Sequence, residues 1–215
     1  MTATAYFVTG TDTEIGKTTV TAILLRQAAA EGKRAAGLKP IAAGVEASGA
    51  NADVAALIAA SNVPLPRDVV NPYCFAEPIS PHLAAQHEGV TIDFATIRRA
   101  VDNARAQCDL LFVEGVGGFH APLSETTTVA DLAVALNLPV LLVVGMRLGC
   151  LNHALLTVEA ITARDLLFAG WIANQIDPEM AAFAENLATL QARLSAPCWG
   201  VVRYGAHALS HPVTP

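Results

Sequence analysis

Apolar residues in this chain gather in short unbroken runs rather than alternating with polar ones. The runs are Ala5 to Thr9, Arg34 to Lys39, Asp109 to Glu114, Pro139 to Val144 and Leu167 to Ala173, with a weaker one at Cys198 to Val202. A strand with a solvated face shows alternation, so unbroken runs of this length predict strands covered on both faces. The segments between them carry apolar residues at helical spacing: Lys17 to Ala30, Ala52 to Ala60, Phe94 to Gln107, Thr128 to Leu136, Cys150 to Ala163 and Met180 to Leu194. Alternating strands and helices predict an α/β fold, a mostly parallel sheet flanked by helices on both faces, as a single domain over 1–215.

Two stretches break the pattern. Ala42 to Asn51, AAGVEASGAN, reads as a mobile loop, and Pro64 to Pro81 holds five prolines and reads as a long ordered crossing rather than a regular helix. In an open parallel sheet, ligands bind beyond the carboxyl ends of the strands. Candidate chemistry is therefore sought at Thr9 to Thr19, Lys39 to Gly44, Glu114 to Gly118, Gly145 to Asn152 and Asn174.

Composition narrows the choice. At 215 residues, 53 % hydrophobic and 15 % charged, the chain can bury one substantial core. The mean hydropathy of +0.44 raises the question of a membrane span. The best stretch, Leu138 to Met146, falls well short of the roughly 18 to 20 residues that a bilayer requires, so no membrane association is expected. The first residues, MTATAYFVTG, lack a basic and apolar leader. The cysteines, Cys74, Cys108, Cys150 and Cys198, are scattered, which favours reduced thiols and a cytoplasmic location. A net charge of −6 without a Lys/Arg cluster argues against a nucleic-acid partner.

The segment GTDTEIGKTT, Gly10 to Thr19, has one residue more than the phosphate-binding loop G-x-x-x-x-G-K-[ST]. It follows a strand and opens a helix, where backbone N–H groups and the helix dipole favour an anion. Lys17 would reach the β- and γ-phosphates of a nucleotide, and the Thr18 hydroxyl would ligate Mg²⁺. Lys39 emerges from a buried strand at the ligand edge, either to meet phosphate or to snorkel into water. Glu114, ahead of Gly115-Val116-Gly117-Gly118, has the Walker B placement for Mg²⁺, or is an acid in an ordinary turn. Asp53 reads as a second metal carboxylate or as a helix N-cap.

In this order and spacing, GTDTEIGKT, GLKPIAAG, VNPYCFAEPISPH, VEGVGGFHAPLS, VVGMRLGCLNHALLT and AGWIANQ resemble the dethiobiotin synthetases. The resemblance runs from about Tyr6 to Gln175. It implies a P-loop enzyme of biotin biosynthesis that joins CO₂ (or bicarbonate) to 7,8-diaminononanoate at the expense of ATP, with Mg²⁺. The products are dethiobiotin, ADP and phosphate, formed by way of an N-carbamate and a carbamic-phosphoric anhydride. It places catalysis on Lys17, Lys39 and Thr11. Nucleotide contacts fall on Glu14, Ile15, Gly16, Lys17, Thr18, Thr19, Asp53, Glu114, Gly115, Val116, Gly117, Asn174 and Gln175, with Asn174 at the adenine. Mg²⁺ would lie on Thr18, Asp53 and Glu114. Substrate contacts fall on Thr11, Lys39 and Ala43, and on Leu148, Gly149, Cys150, Leu151 and Asn152 of a neighbouring subunit, so a homodimer is implied. The enlarged loop then frames a carbamate beside the phosphates.

The chain departs from the family pattern in two places. Ala43 stands where K-P-x-x-[ST]-G has a hydroxyl, and Arg147 stands where lysine is common. The tail from Arg203 to Pro215 matches poorly. Two further readings share the loop chemistry. Septum-site and partition switch ATPases carry an extra lysine before the loop glycines, which TDTEIGKT lacks. Amidoligases that act on cobyrinic acid need a glutaminase domain, for which 215 residues leave no room. A relic that binds ATP without turnover would have Ala43 as its trace.

Overall fold

The computed structural model describes residues 3–46 and 49–210. In chain order, β1 (Thr4–Gly10) leads into α1 (Lys17–Ala30), then β2 (Ala35–Leu38) and the short β3 (Ile41–Ala43). The helices α2 (Ala52–Ala60) and α3 (Arg67–Val70) precede a second short strand, β4 (Tyr73–Phe75), and α4 (Pro81–His87) and α5 (Phe94–Arg105) follow it. The rest alternates: β5 (Leu110–Glu114), α6 (Val129–Leu136), β6 (Val140–Met146), α7 (Cys150–Thr162), β7 (Phe168–Gln175), α8 (Phe183–Arg193) and β8 (Cys198–Val202). No helix among the described residues is long and apolar enough to cross a membrane.

Six strands form one parallel sheet in the order β2-β5-β1-β6-β7-β8. Neighbouring residues on each strand serve opposite layers. Phe7, Leu111, Val113, Leu142 and Val144 pack with α5, α6, α7 and α8, whereas Val8, Leu110, Phe112, Leu141 and Val143 pack with α1 and Leu57 of α2. Every position of β5 and β6 is therefore buried, which explains the unbroken apolar runs.

The structure corrects the sequence reading between Lys39 and Pro81. Ala42 and Ala43 lie in β3, which pairs in parallel with β4 through Ile41–Tyr73, Ala42–Cys74 and Ala43–Phe75. The pairing continues as Gly44 N–H to the Phe75 carbonyl and Val45 N–H to the Ala76 carbonyl. Three residues are too few to show a period, so these strands were not legible as strands. Of the stretch expected to be a mobile loop, Ala47 and Ser48 lie outside the described residues. The proline-rich crossing holds one helical turn, α3, and β4; α4, with Pro81 in its first turn, was missed because a proline is permitted there.

Asp53 is not the N-cap of α2. Asn51 takes that position, accepting a hydrogen bond from Val54 N–H at 3.1 Å, and its amide donates to the Gly44 carbonyl at 2.7 Å. Asp53 sits in the first turn, free to face the sheet edge.

Candidate functional site

Strand order brings three chain ends together. β1 is paired to β5, and β5 to β2, so the residues that follow these strands stand side by side. The register sets Val8 opposite Glu114 and Leu38 opposite Val113. Glu114 ends β5, Lys39 is the first residue past β2, and the phosphate loop begins after Gly10.

The loop needs unusual backbone. Glu14 has φ 57° and Gly16 has φ 80°, both left-handed, which the extra residue allows by turning the chain back before α1. Gly10 provides the other necessary space: a β-carbon there would lie 2.8 Å from Ile15 Cδ1 and 3.0 Å from the stem of Lys17. Lys17 thus lies back over β1, and its Nζ donates to the Asp12 carbonyl at 2.8 Å. The Asp12 carboxylate pairs with Arg147 at 2.7 Å, which ties the loop to the turn after β6.

Lys39 is held from both sides by the crossing segment. Its N–H donates to the Val70 carbonyl and its own carbonyl accepts from the Asn71 side chain at 2.7 Å. Its ammonium bonds the Asp53 carboxylate and reaches Glu114 Oε1 at 2.9 Å. The same Glu114 oxygen accepts from the Thr18 hydroxyl at 2.6 Å. The side chain of Glu114 is fully buried, and its Oε2 has no hydrogen-bond partner among the described residues. A buried carboxylate oxygen left unpaired beside a hydroxyl and a second carboxylate is the donor set of a hard divalent cation. The residues fit Mg²⁺.

Charge follows from burial and neighbours. Burial pulls the Lys17 ammonium down to about 8, with Lys39 pushing the same way, while Glu114, Asp53 and Asp12 oppose. Burial also works against the charge on Lys39, but Glu114 and Asp53 outweigh it and raise its pKa. For Asp53, burial favours the acid, and the Lys39 ammonium overrides it and holds the carboxyl below its ordinary range.

A cavity of about 850 Å³ opens over this cluster. Part of its lining is the phosphate loop with Lys17, Thr18, Lys39, Asp53 and Glu114, together with Glu14, Gly16, Thr19, Val116 and Gly117. The rest of the lining is less polar: Ala43, Pro78, Ile79, Pro81, Leu83, Ala121 and Pro122, with Ser80 among them. Apart from Ala43, these residues were not singled out one by one from the sequence, although PISPH and HAPLS lay inside two of the resembling blocks.

Residues 4–208 match the AAA domain family. The ATP-dependent dethiobiotin synthetase BioD of Aromatoleum aromaticum is 55 % identical over 207 residues, covering 95 % of this chain and 92 % of that protein. The chain belongs to the dethiobiotin synthetase family. The enzyme of the same name from Nitrosospira multiformis is 51 % identical over 199 residues, covering 93 % of this chain and 88 % of its own length. Solved structures with the same fold include the signal recognition particle receptor FtsY of Elizabethkingia anophelis in complex with GDP (TM-score 0.54, 17 % identity). That match covers all of this chain, which spans about 61 % of the receptor's length. The MinC:MinD cell division complex of Aquifex aeolicus gives TM-score 0.57 at 18 % identity over 94 % of this chain and 81 % of the other. At such identities the likeness establishes the P-loop fold alone, and the synthetase family rests on the sequence relatives.

Not every residue expected of a synthetase site borders the cavity. Thr11 uses its hydroxyl to accept from Gly145 N–H at 3.2 Å. Ile15 is buried against the position where Gly145 has no side chain. Gly115 packs against Phe7 and Val129. Asn174 lies beneath the loop, donating to the Ile15 carbonyl at 2.7 Å, and Gln175 donates to the Asp177 carbonyl at 3.4 Å. The block Leu148, Gly149, Cys150, Leu151 and Asn152 forms the start of α7, with Gly149 at φ 94° as its cap and Leu148 94 % exposed. The Cys150 N–H, in the block expected to contact substrate, donates to the Arg147 carbonyl at 3.0 Å.

Proposed function

We propose that this chain, 1–215 acting as one catalytic unit, uses ATP to close CO₂ and 7,8-diaminononanoate into dethiobiotin, releasing ADP and phosphate. The observation that carries the reading is the cavity of a dethiobiotin synthetase relative, in which two buried lysines and an oxygen nest share the lining with apolar residues. The charged lining suits phosphates and a carbamate, and the apolar residues suit a hydrocarbon chain.

Two anions must meet for this reaction, since the amine captures CO₂ as a carbamate that then attacks the γ-phosphorus. Cations held in a low-dielectric site before reaction are the effective means of bringing them together. Lys17, set over Gly10, serves the β- and γ-phosphates, and Lys39 stands between that position and the carbamate. Thr18, Asp53 and Glu114 would hold Mg²⁺, which when bound neutralises phosphate charge. The backbone of Glu14 to Thr19 and of Gly115 to Gly117 wraps the phosphates. The second amine attacks the carbonyl of the carbamic-phosphoric anhydride, the ureido ring forms, and phosphate departs with the bonding electron pair. Holding both amines on one carbon supplies the orientation that makes closure unimolecular.

Thr11 and Ala43 lie on the substrate side in this reading, and Asn174 and Gln175 border the base. Leu148 to Asn152 would serve a neighbouring subunit, so the working form is a homodimer, in the cytoplasm, without nucleic-acid or membrane partners. The exposed Leu148 and the half-exposed Leu156 on α7 support such a contact.

Phosphate release from MgATP by the purified chain, with and without diaminononanoate and bicarbonate, tests the reading. Release that depends on both, with dethiobiotin detected by mass, is expected. Release indifferent to the diamine overturns it in favour of a nucleotide switch.

A further inference from the structure

Two of the oxygens suited to a metal are already occupied by a lysine, while Glu114 Oε2 has no partner among the described residues. Lys39 Nζ bonds Asp53 and Glu114 Oε1, and the Thr18 hydroxyl converges on the same Glu114 oxygen at 2.6 Å. The Lys39 side chain is 6 % exposed and that of Glu114 is fully buried, so solvent offers these two little alternative compensation, whereas the Asp53 side chain is half-exposed. Among the described residues no group of three or more His, Cys, Asp or Glu side chains is placed to hold a metal. The protein contributes two carboxylates and one hydroxyl.

We infer that in the nucleotide-free protein the Lys39 ammonium is the resident cation of the Thr18–Asp53–Glu114 nest, and that a divalent metal enters only together with nucleotide, expelling Lys39 into the cavity. The inference rests on the metal ligands proposed above and goes beyond them. The ammonium offsets part of the charge of the two carboxylates, of which Glu114 is fully buried and unfavourable to leave unpaired, while Asp53 is half-exposed. An ammonium and a divalent ion sharing the nest would repel each other across a few ångströms of low dielectric. Mg²⁺ asks for near-octahedral oxygen coordination and gives up its water reluctantly, so three protein oxygens do not displace a well-bonded lysine. Phosphate oxygens complete the shell, and the nucleotide also offers the expelled ammonium a new anionic partner. The exchange makes Lys39 available to the reacting phosphate and carbamate only once the metal and nucleotide are in place.

Mn²⁺ binding followed by its paramagnetic resonance signal tests this without turnover. Wild-type protein alone should bind Mn²⁺ weakly, Lys39→Met alone should bind it about tenfold or more tightly, and wild type with ADP should bind it tightly. Equal binding by wild type and Lys39→Met in the absence of nucleotide overturns the exchange while leaving the metal ligands standing. Absence of Mn²⁺ binding in all arms, ADP included, overturns the ligand assignment itself. Should Lys39→Met fail to fold, ¹⁵N-lysine NMR of the wild type decides. The Lys39 side-chain resonance should persist with Mg²⁺ alone and shift with MgADP. A shift with Mg²⁺ alone, or none with MgADP, overturns the inference.

Discussion

The Asn174 side-chain nitrogen donates to the Ile15 carbonyl at 2.7 Å, and a β-carbon on Gly16 would approach that same nitrogen to 2.3 Å. The phosphate loop therefore rests on Asn174 at the one residue where it has no side chain. Gly16→Ala meets this clash and a φ of 80°, which costs an L-residue roughly 1–2 kcal/mol. The variant should keep its fold by circular dichroism and bind ATP about 10- to 100-fold more weakly by calorimetry. Unchanged affinity would mean that Asn174 is not a support of the loop.

Ala43 borders the cavity at the end of β3 and offers it no hydroxyl. Ala43→Ser adds a group able to bond a charged amine or carbamate, an interaction of about 1.5–3 kcal/mol. KM for the diamine should fall by roughly tenfold, with kcat little changed, in steady-state assays at saturating ATP. A change in kcat alone would place the hydroxyl at the transition state instead.

The pH dependence of nucleotide binding should report Lys17. Its folded value of about 8 lies below the 10.5 of an ordinary lysine. Between those values the unfolded chain holds more protons, so this group adds stability as pH rises through the window, and its burial penalty is fully present below about 8. Binding runs the other way, because phosphate needs the ammonium. ATP affinity should decline above pH about 8, with proton uptake detected by calorimetry in two buffers of different ionisation heat. Lys39, whose pKa is raised, keeps its charge over this range.

Asn51 is a stability determinant rather than a ligand. It caps α2 through Val54 N–H and ties the cap to the Gly44 carbonyl, next to the β3–β4 pair. Asn51→Ala should lower unfolding free energy by about 1–3 kcal/mol in urea titrations. Restoration by Asn51→Asp would be partial, since aspartate caps a helix but cannot donate to Gly44.

The main sheet and most of its helices were legible because long apolar runs and long helical periods leave a strong pattern, as in Val140–Met146 and Lys17–Ala30. The phosphate loop, Lys39 and Glu114 were legible because their residue types are hard to justify for packing alone. The companions that fix them were not. Asn71 and Val70 grip the backbone of Lys39 from a proline-rich stretch with no period. The Asp12–Arg147 pair joins residues far apart in sequence. Asp53 was ambiguous because Asn51, two residues earlier, caps a helix equally well. Contacts of this kind follow from strand order, and sequence spacing does not reveal them.

Strand order also governs when the chain can first work during its synthesis. β1 pairs only with strands that begin at Leu110 and Val140, and Thr18 reaches its carboxylate across 96 residues. A nascent chain that has emerged as far as α5 carries its phosphate loop on a strand with neither partner. Such long-range closure is slow and leaves apolar strand edges exposed meanwhile. The phosphate loop is thus synthesised well before the strands that flank it and the carboxylate that its Thr18 meets.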